Sequence, residues 1–180
     1  NFAQSIVNSA NEIIETSSTA ENMINNFKET VKIYEQGKRY YDALKSVHDL
    51  VKGARKVQQT ILLVGDISDI YVTNFNTMMS DPNFTVEELS AIAFGYNRLL
   101  KESSDLLLDL KEVTTATGLS MTDKERLDII NRIYGEVLEY KNLTWYYTRK
   151  NIGVSYLRSK KKGDAARVLA LYGTHDQRYW

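Results

Sequence analysis

ILLVGDISDIYV, residues 61–72, decides the fold. Its Ile and Val residues favour a buried strand. Its spacing favours a helix, because Ile67, Ile70, Val72, Phe75 and Met79 suit a heavily buried helical segment. A strand needs a partner, and no second strand candidate occurs in the chain. We therefore read the stretch as helix, with strand as the alternative left for the structure to settle.

Upstream, Tyr40, Leu44, Val47, Val51, Ala54, Gln58 and Ile61 recur at helical spacing. Before them, Ala3, Ile6, Ala10, Ile13, Ser17, Ala20, Ile24, Phe27, Val31 and Tyr34 alternate steps of three and four. That is a coiled-coil-like heptad seam, narrow and rich in small residues. The phase breaks near Gly37, where a turn at 36–39 is expected. The predicted helices are 3–36 and 39–80.

Downstream, SDPNFTVEELSAIAFGY (80–96) holds the only proline, Pro82. Proline disfavours helix at the residue before it, so the preceding helix should stop at Asp81. Thr85 and Glu88 form a T-x-x-E capping box, and Phe84 with Leu89 occupy the positions of a hydrophobic staple. The proline thus predicts a corner, with Asn83 at its tip left as either structural or functional. Leu89, Ala93, Tyr96, Leu100, Ser103, Leu107 and Leu110 then carry a helix over 85–113. After the poor helix formers TTATG (114–118), Thr122 with Glu125, or Ser120 with Asp123, starts a helix over 121–162. Leu127, Ile130, Tyr134, Val137, Tyr140 and Thr144 hold its period, with Gly153 as a weak point. Lys160, Lys161 and Lys162 before Gly163 make an ordinary helix end. Asp164 is placed to cap a short helix over 165–172.

The expected fold is all-α: one elongated antiparallel helical bundle over residues 1–180, with long coiled-coil-like helices and a short C-terminal one. At 180 residues with 43% hydrophobic and 26% charged content, the chain can bury one substantial core. There are no cysteines, which excludes disulfides and thiolate metal sites. No run of 18 apolar residues occurs, so no transmembrane segment is expected. Asn1 rather than methionine begins the chain, as in a mature form after removal of a leader, or in a trimmed chain.

Net charge is zero but polarised. Residues 1–90 carry 8 basic and 12 acidic groups, a net of −4, and the last 36 carry 8 and 2, a net of +6. A basic end suits an acidic partner or surface, whereas overall neutrality counts against a dedicated nucleic-acid binder.

The sequence holds no G-x-S-x-G, G-x-G-x-x-G, Walker A, H-E-x-x-H or C-x-x-C. His48-Asp49 are helix neighbours that point apart, and His175 has no identifiable co-ligands. Asp66 and Asp69 share a helix face, which would suit acid–base work or a cation but is also an ordinary polar face. RSKKKGDAAR (158–167) could meet phosphate, although its helix-end role suffices. No enzyme activity and no cofactor are expected. The aromatic and basic residues of the C-terminal third are the best interaction candidates: Trp145, Tyr146, Arg149, Lys150, Arg178, Tyr179 and Trp180. Trp145 and Tyr146 are adjacent, so both cannot face one seam, and at least one should border solvent or a partner.

Four stretches, ARKVQQTILLVGDISDIYV (54–72), SDPNFTVEELSAIAFGY (80–96), LSMTDKERLDIINRIY (119–134) and VSYLRSKKKGDAARVLALYG (154–173) with the closing RYW, resemble a helical conjugal-transfer family encoded in Bacteroidetes conjugative transposons. That family is distantly similar to TrbJ-type proteins of conjugative type IV secretion, regarded as minor-pilus or pilus-tip components. The resemblance implies an exported, periplasmic or cell-surface protein made with a signal peptide. It implies a non-enzymatic subunit whose partners are other conjugation-apparatus proteins, with self-association through helix seams a further expectation. It brings no active-site residues. The alternative is a cytoplasmic DNA-processing accessory protein that binds nucleic acid through its basic C-terminal third.

Overall fold

A computed structural model describes residue 32 and residues 54–115 and 121–173. Within these, Ala54–Met79 forms α1, Val86–Thr115 α2, Asp123–Lys161 α3 and Ala165–Leu171 α4, with no strand among the described residues. The deciding stretch 61–72 is helical throughout. Val64, Ile67, Tyr71, Phe75 and Met78, spaced 3-4-4-3, are all buried. Burial of that face outweighs the strand preference of the branched residues, since tertiary packing supplies most helix stability. Apart from Lys32, which is helical, the expected helix 3–36, the Gly37 turn and residues 39–53 lie outside the described residues.

Local chemistry sets the helix ends. At the start of α2, Glu88 N donates to Thr85 Oγ1 (3.2 Å), and the Thr85 hydroxyl donates to Glu88 Oε1 (3.2 Å). At the start of α3, Thr122 makes the complete box: Glu125 N donates to its hydroxyl (3.1 Å), and its own N donates to Glu125 Oε2 (2.7 Å). Of the two starts left open by the sequence, the structure takes Thr122 with Glu125. Helix α3 runs through Gly153 without interruption. It ends at Gly163, whose φ of +72° is a left-handed conformation that favours glycine. Asp164 stands at the N-cap position of α4 but makes no side-chain cap bond; its carboxylate instead accepts from Arg167 Nε (2.6 Å).

The buried residues form two clusters. One joins Val64 and Ile67 of α1, Leu100 and Leu107 of α2, and Ile133 and Val137 of α3. The other joins Tyr71 and Phe75 of α1, Leu89 and Tyr96 of α2, and Ile152 of α3. The first takes the early part of α1, the late part of α2 and the early part of α3. The long helices therefore alternate in direction, as an antiparallel bundle requires. At 39 residues, α3 extends roughly 58 Å at 1.5 Å per residue.

Between the clusters each long helix buries a polar residue: Ser68, Asn97 and Thr144. Ser68 Oγ donates to Val64 O (3.1 Å) and Thr144 Oγ1 to Tyr140 O (2.7 Å), so both hydroxyls turn back onto their own helices. The Asn97 amide, fully buried, has no hydrogen-bond partner among the described residues. One residue along, the Tyr96 and Thr148 hydroxyls share a 2.6 Å bond.

Burial is the main reason that the Tyr96 phenol is pushed far above its ordinary value near 10, and the bond to Thr148 only partly opposes it. The unfolded chain loses this proton from about pH 10, whereas the folded chain keeps it to higher pH. Between those points the unfolded state binds fewer protons, so stability falls as pH rises. The loss should be about 1.4 kcal/mol per pH unit from Tyr96. Urea midpoints between about pH 9 and pH 11 check it, with Tyr96→Phe giving a shallower decline.

Candidate interaction surface

The C-terminal half of α3, NLTWYYTRKNIGVSYLRSKKK (142–162), carries two interleaved series. Thr144, Thr148, Ile152, Ser155 and Ser159 are buried. Leu143, Tyr146, Lys150, Val154 and Leu157, spaced 3-4-4-3, are exposed. At 100° per residue the second series forms one stripe, roughly opposite the first. The usual amphipathic order is inverted here: mostly small hydroxyl side chains face the bundle, and large apolar ones face outward. Leu143, Tyr146 and Leu157 are 47%, 52% and 56% exposed. Scattered exposed apolar residues are ordinary; here Leu143, Tyr146, Val154 and Leu157 share one face, with Lys150 at its centre.

Two of these hydroxyls, on Ser155 and Ser159, meet the Pro82 corner, whereas Thr144 turns back to Tyr140 O and Thr148 bonds to Tyr96. Asn83 is buried, and its Nδ2 donates to Ser159 Oγ (2.7 Å) and to Ser155 Oγ (3.0 Å). Asp81, also buried, accepts from Asn83 N (2.9 Å), from Ser155 Oγ (2.5 Å) and from Tyr172 Oη (2.8 Å). Arg158 Nη1 donates to Asn83 O and to Glu88 Oε2, both at 2.6 Å. The hydrogen bond to Arg158, ahead of its charge, lowers the Glu88 pKa. Burial, then the bond to Asp81, pushes the Tyr172 phenol upward. Asn83 is thus a structural tie from the corner to α3, with its amide turned inward. The capping box was legible in sequence, but this network was not, since all its bonds except Asn83 N to Asp81 cross 70 to 91 residues.

Of the expected contact residues, Tyr146, Arg149 and Lys150 are exposed and Trp145 is half-buried. The adjacent Trp145 and Tyr146 therefore do divide, with Tyr146 facing solvent. Lys150 Nζ lies 5.2 Å from the Tyr146 ring centroid, within cation–π range. Arg178, Tyr179 and Trp180 lie outside the described residues, as do His48 and His175. The sequence reading missed Leu143, Val154 and Leu157, although the second 3-4-4-3 series was there to be found.

Some of the basic charge nearby is engaged. Lys141 pairs with Asp66 (3.0 Å), Arg158 with Glu88, and Arg167 with Asp164. Asp66 is therefore held by a cation from α3, while Asp69 is exposed and accepts from Thr73 at 3.4 Å. Arg149, Lys150, Lys160, Lys161 and Lys162 remain exposed.

At the other end of the stripe lies an acidic groove of about 520 Å³, lined by Glu102, Asp105 and Asp109 of α2 and by Glu136, Glu139 and Leu143 of α3. Tyr140, on the same wall, has its phenol pushed up by burial first and then by the charges of Glu102, Glu136 and Glu139. Lys101 and Arg132 pair with Asp105 and Glu136 along their own helices, whereas Glu139 forms no ion pair among the described residues. Among the described residues, no group of three or more His, Asp or Glu side chains is placed to hold a metal ion. No helix there is long and apolar enough to cross a membrane.

Compared with known families, residues 1–27 match a domain of unknown function, DUF4141. No curated protein and no solved structure matches the chain.

Proposed function

We propose that this chain is a non-enzymatic interaction subunit of a conjugative transfer apparatus of the type IV secretion kind, working outside the cytoplasm as a minor-pilus-like component. The observation that carries the reading is the inverted face of α3, with large apolar and basic side chains outward and hydroxyls inward. A side chain such as Leu157, 56% exposed, gains nothing from water and gains much from a covering surface. The resemblance of the four stretches to a conjugal-transfer family supports the cellular setting. So does the match over residues 1–27, since that family is often found in conjugative-transposon-associated proteins. Overall charge neutrality weighs against a nucleic-acid role for the C-terminal third.

The test is genetic. Donor cells carrying Tyr146→Ser together with Leu157→Ser in the full-length gene should transfer DNA roughly tenfold or more less often than wild type, a step that central interface residues commonly cost. The variant protein should accumulate normally, because both side chains are exposed. Wild-type transfer by this variant, or recovery of the native protein only from the cytosol, would end the reading.

A further inference from the structure

The exposed stripe on α3 has an internal symmetry. Lys150 stands at its centre. Tyr146 and Val154 lie four residues to either side, and Leu143 and Leu157 seven residues to either side. Continuing outward by eleven residues reaches Glu139 in one direction and Lys161 in the other, both exposed. An apolar series that is palindromic by position and capped by opposite charges is self-complementary. A two-fold axis through Lys150 and perpendicular to α3 lays the helix antiparallel on a copy of itself. Leu143 then meets Leu157 of the second copy, Tyr146 meets Val154, and Glu139 meets Lys161, each pair occurring twice as an isologous interface requires.

We propose that the outer face of α3 is a homodimer interface, formed by antiparallel pairing of two copies about Lys150. The inference rests on the reading of this face as an interface and names its partner: a second copy of this chain. Charge distribution supports that occupant over an unrelated protein. In the acidic groove at the Leu143 end, Glu102, Asp105 and Glu136 pair with Arg98, Lys101 and Arg132 on their own helices, while Asp109 and Glu139 are in no ion pair among the described residues. The opposite end carries Lys160, Lys161 and Lys162, none in an ion pair among the described residues. The two ends, separated by 22 residues or roughly 33 Å of helix, face each other only in the antiparallel arrangement. A parallel pair would set carboxylate against carboxylate and lysine against lysine. Lys150, which meets its own copy at the axis, opposes association and holds it weak. Its ammonium is shared with the Tyr146 ring at 5.2 Å. One helix face also buries less than the roughly 800 Å² per partner of a standard interface, so a dissociation constant on the order of micromolar to tens of micromolar is expected.

The chain has no cysteine, so single introduced thiols report the geometry cleanly. Full-length Lys150→Cys should form a disulfide-linked dimer under mild oxidation, since both thiols lie at the axis. Glu139→Cys alone should form no disulfide, yet cross-link when mixed with Lys161→Cys. In sedimentation equilibrium, Glu139→Lys should weaken the unmodified dimer roughly tenfold, the double variant Glu139→Lys, Lys161→Glu should restore it, and Lys150→Leu should tighten it. All these positions are exposed, so circular dichroism should show that each variant keeps its helix content. A wild-type chain that sediments as a monomer at about 100 µM overturns the proposal. So does Glu139→Cys cross-linking to itself as readily as Lys150→Cys, or a charge swap that fails to restore association. These measurements use isolated protein, so a monomeric result leaves the transfer experiment standing as a separate test of cellular role.

Discussion

Replacing Asp81 with alanine should cost about 3–5 kcal/mol of unfolding free energy, enough to remove a large share of a single domain's stability. The carboxylate is 2% exposed and accepts three hydrogen bonds. Bonds to a charged group contribute about 1.5–3 kcal/mol each, although three on one carboxylate are not additive. Alanine also leaves the Ser155 and Tyr172 hydroxyls without their acceptor in a site too closed for water to replace it readily. Asp81→Asn should fall between, because one amide oxygen can serve the Asn83 N–H or the hydroxyl pair but not both. Asp69→Ala is the contrast. That carboxylate is exposed and its one bond, from Thr73, is long at 3.4 Å, so its loss should stay within about 0.5 kcal/mol. Urea unfolding of the three variants decides it. Equal losses at positions 81 and 69 would mean that the corner network stabilises nothing.

Features that depend on near neighbours along the chain are legible from residue order alone. Leu89, Ala93, Tyr96, Leu100, Ser103, Leu107 and Leu110, chosen by period alone, are all buried in α2. Thr85 and Thr122 cap helices where their spacing to Glu88 and Glu125 placed them. Even Thr144 falls on the buried side where the period put it. What period cannot supply is the choice between two faces when hydrophobicity points the wrong way. On α3 between 143 and 159 the oilier series lies outside and the hydroxyl series inside. The partner of the Ser155 and Ser159 hydroxyls, Asn83, sits more than 70 residues away, and that of Thr148, Tyr96, sits 52 away. Long-range polar recognition of this kind leaves no local trace, because serine and asparagine read as surface residues until their partners are known. The strand alternative for 61–72 needed the same information: only contact with α2 and α3 shows why a branched segment stays helical.

Gly95 is the sharpest case, and it carries the second large prediction. Glycine in the middle of a helix costs about 1 kcal/mol relative to alanine, so from sequence alone Gly95→Ala should stabilise α2. The structure reverses the sign. A β-carbon at position 95 would lie 2.2 Å from the Tyr147 hydroxyl oxygen and 2.5 Å from its ring carbon Cζ. The phenol is held there from two sides: its hydroxyl donates to Ile92 O (3.0 Å), and its ring meets Tyr96 edge-on at 5.0 Å. Making room means breaking that bond and shifting a packed ring. Overpacking of this kind costs about 1–3 kcal/mol and the lost hydrogen bond about 1 more, so the variant should be less stable by about 1–3 kcal/mol after the propensity gain. With Tyr147→Ala in place, the obstacle is gone and the same Gly95→Ala change should stabilise by about 0.5–1 kcal/mol. The double-mutant cycle should therefore return a coupling of about 1.5–4 kcal/mol between positions 52 residues apart. Additive single and double variants would show that the ring slides aside freely, and that Gly95 has no part in seating α3 against α2.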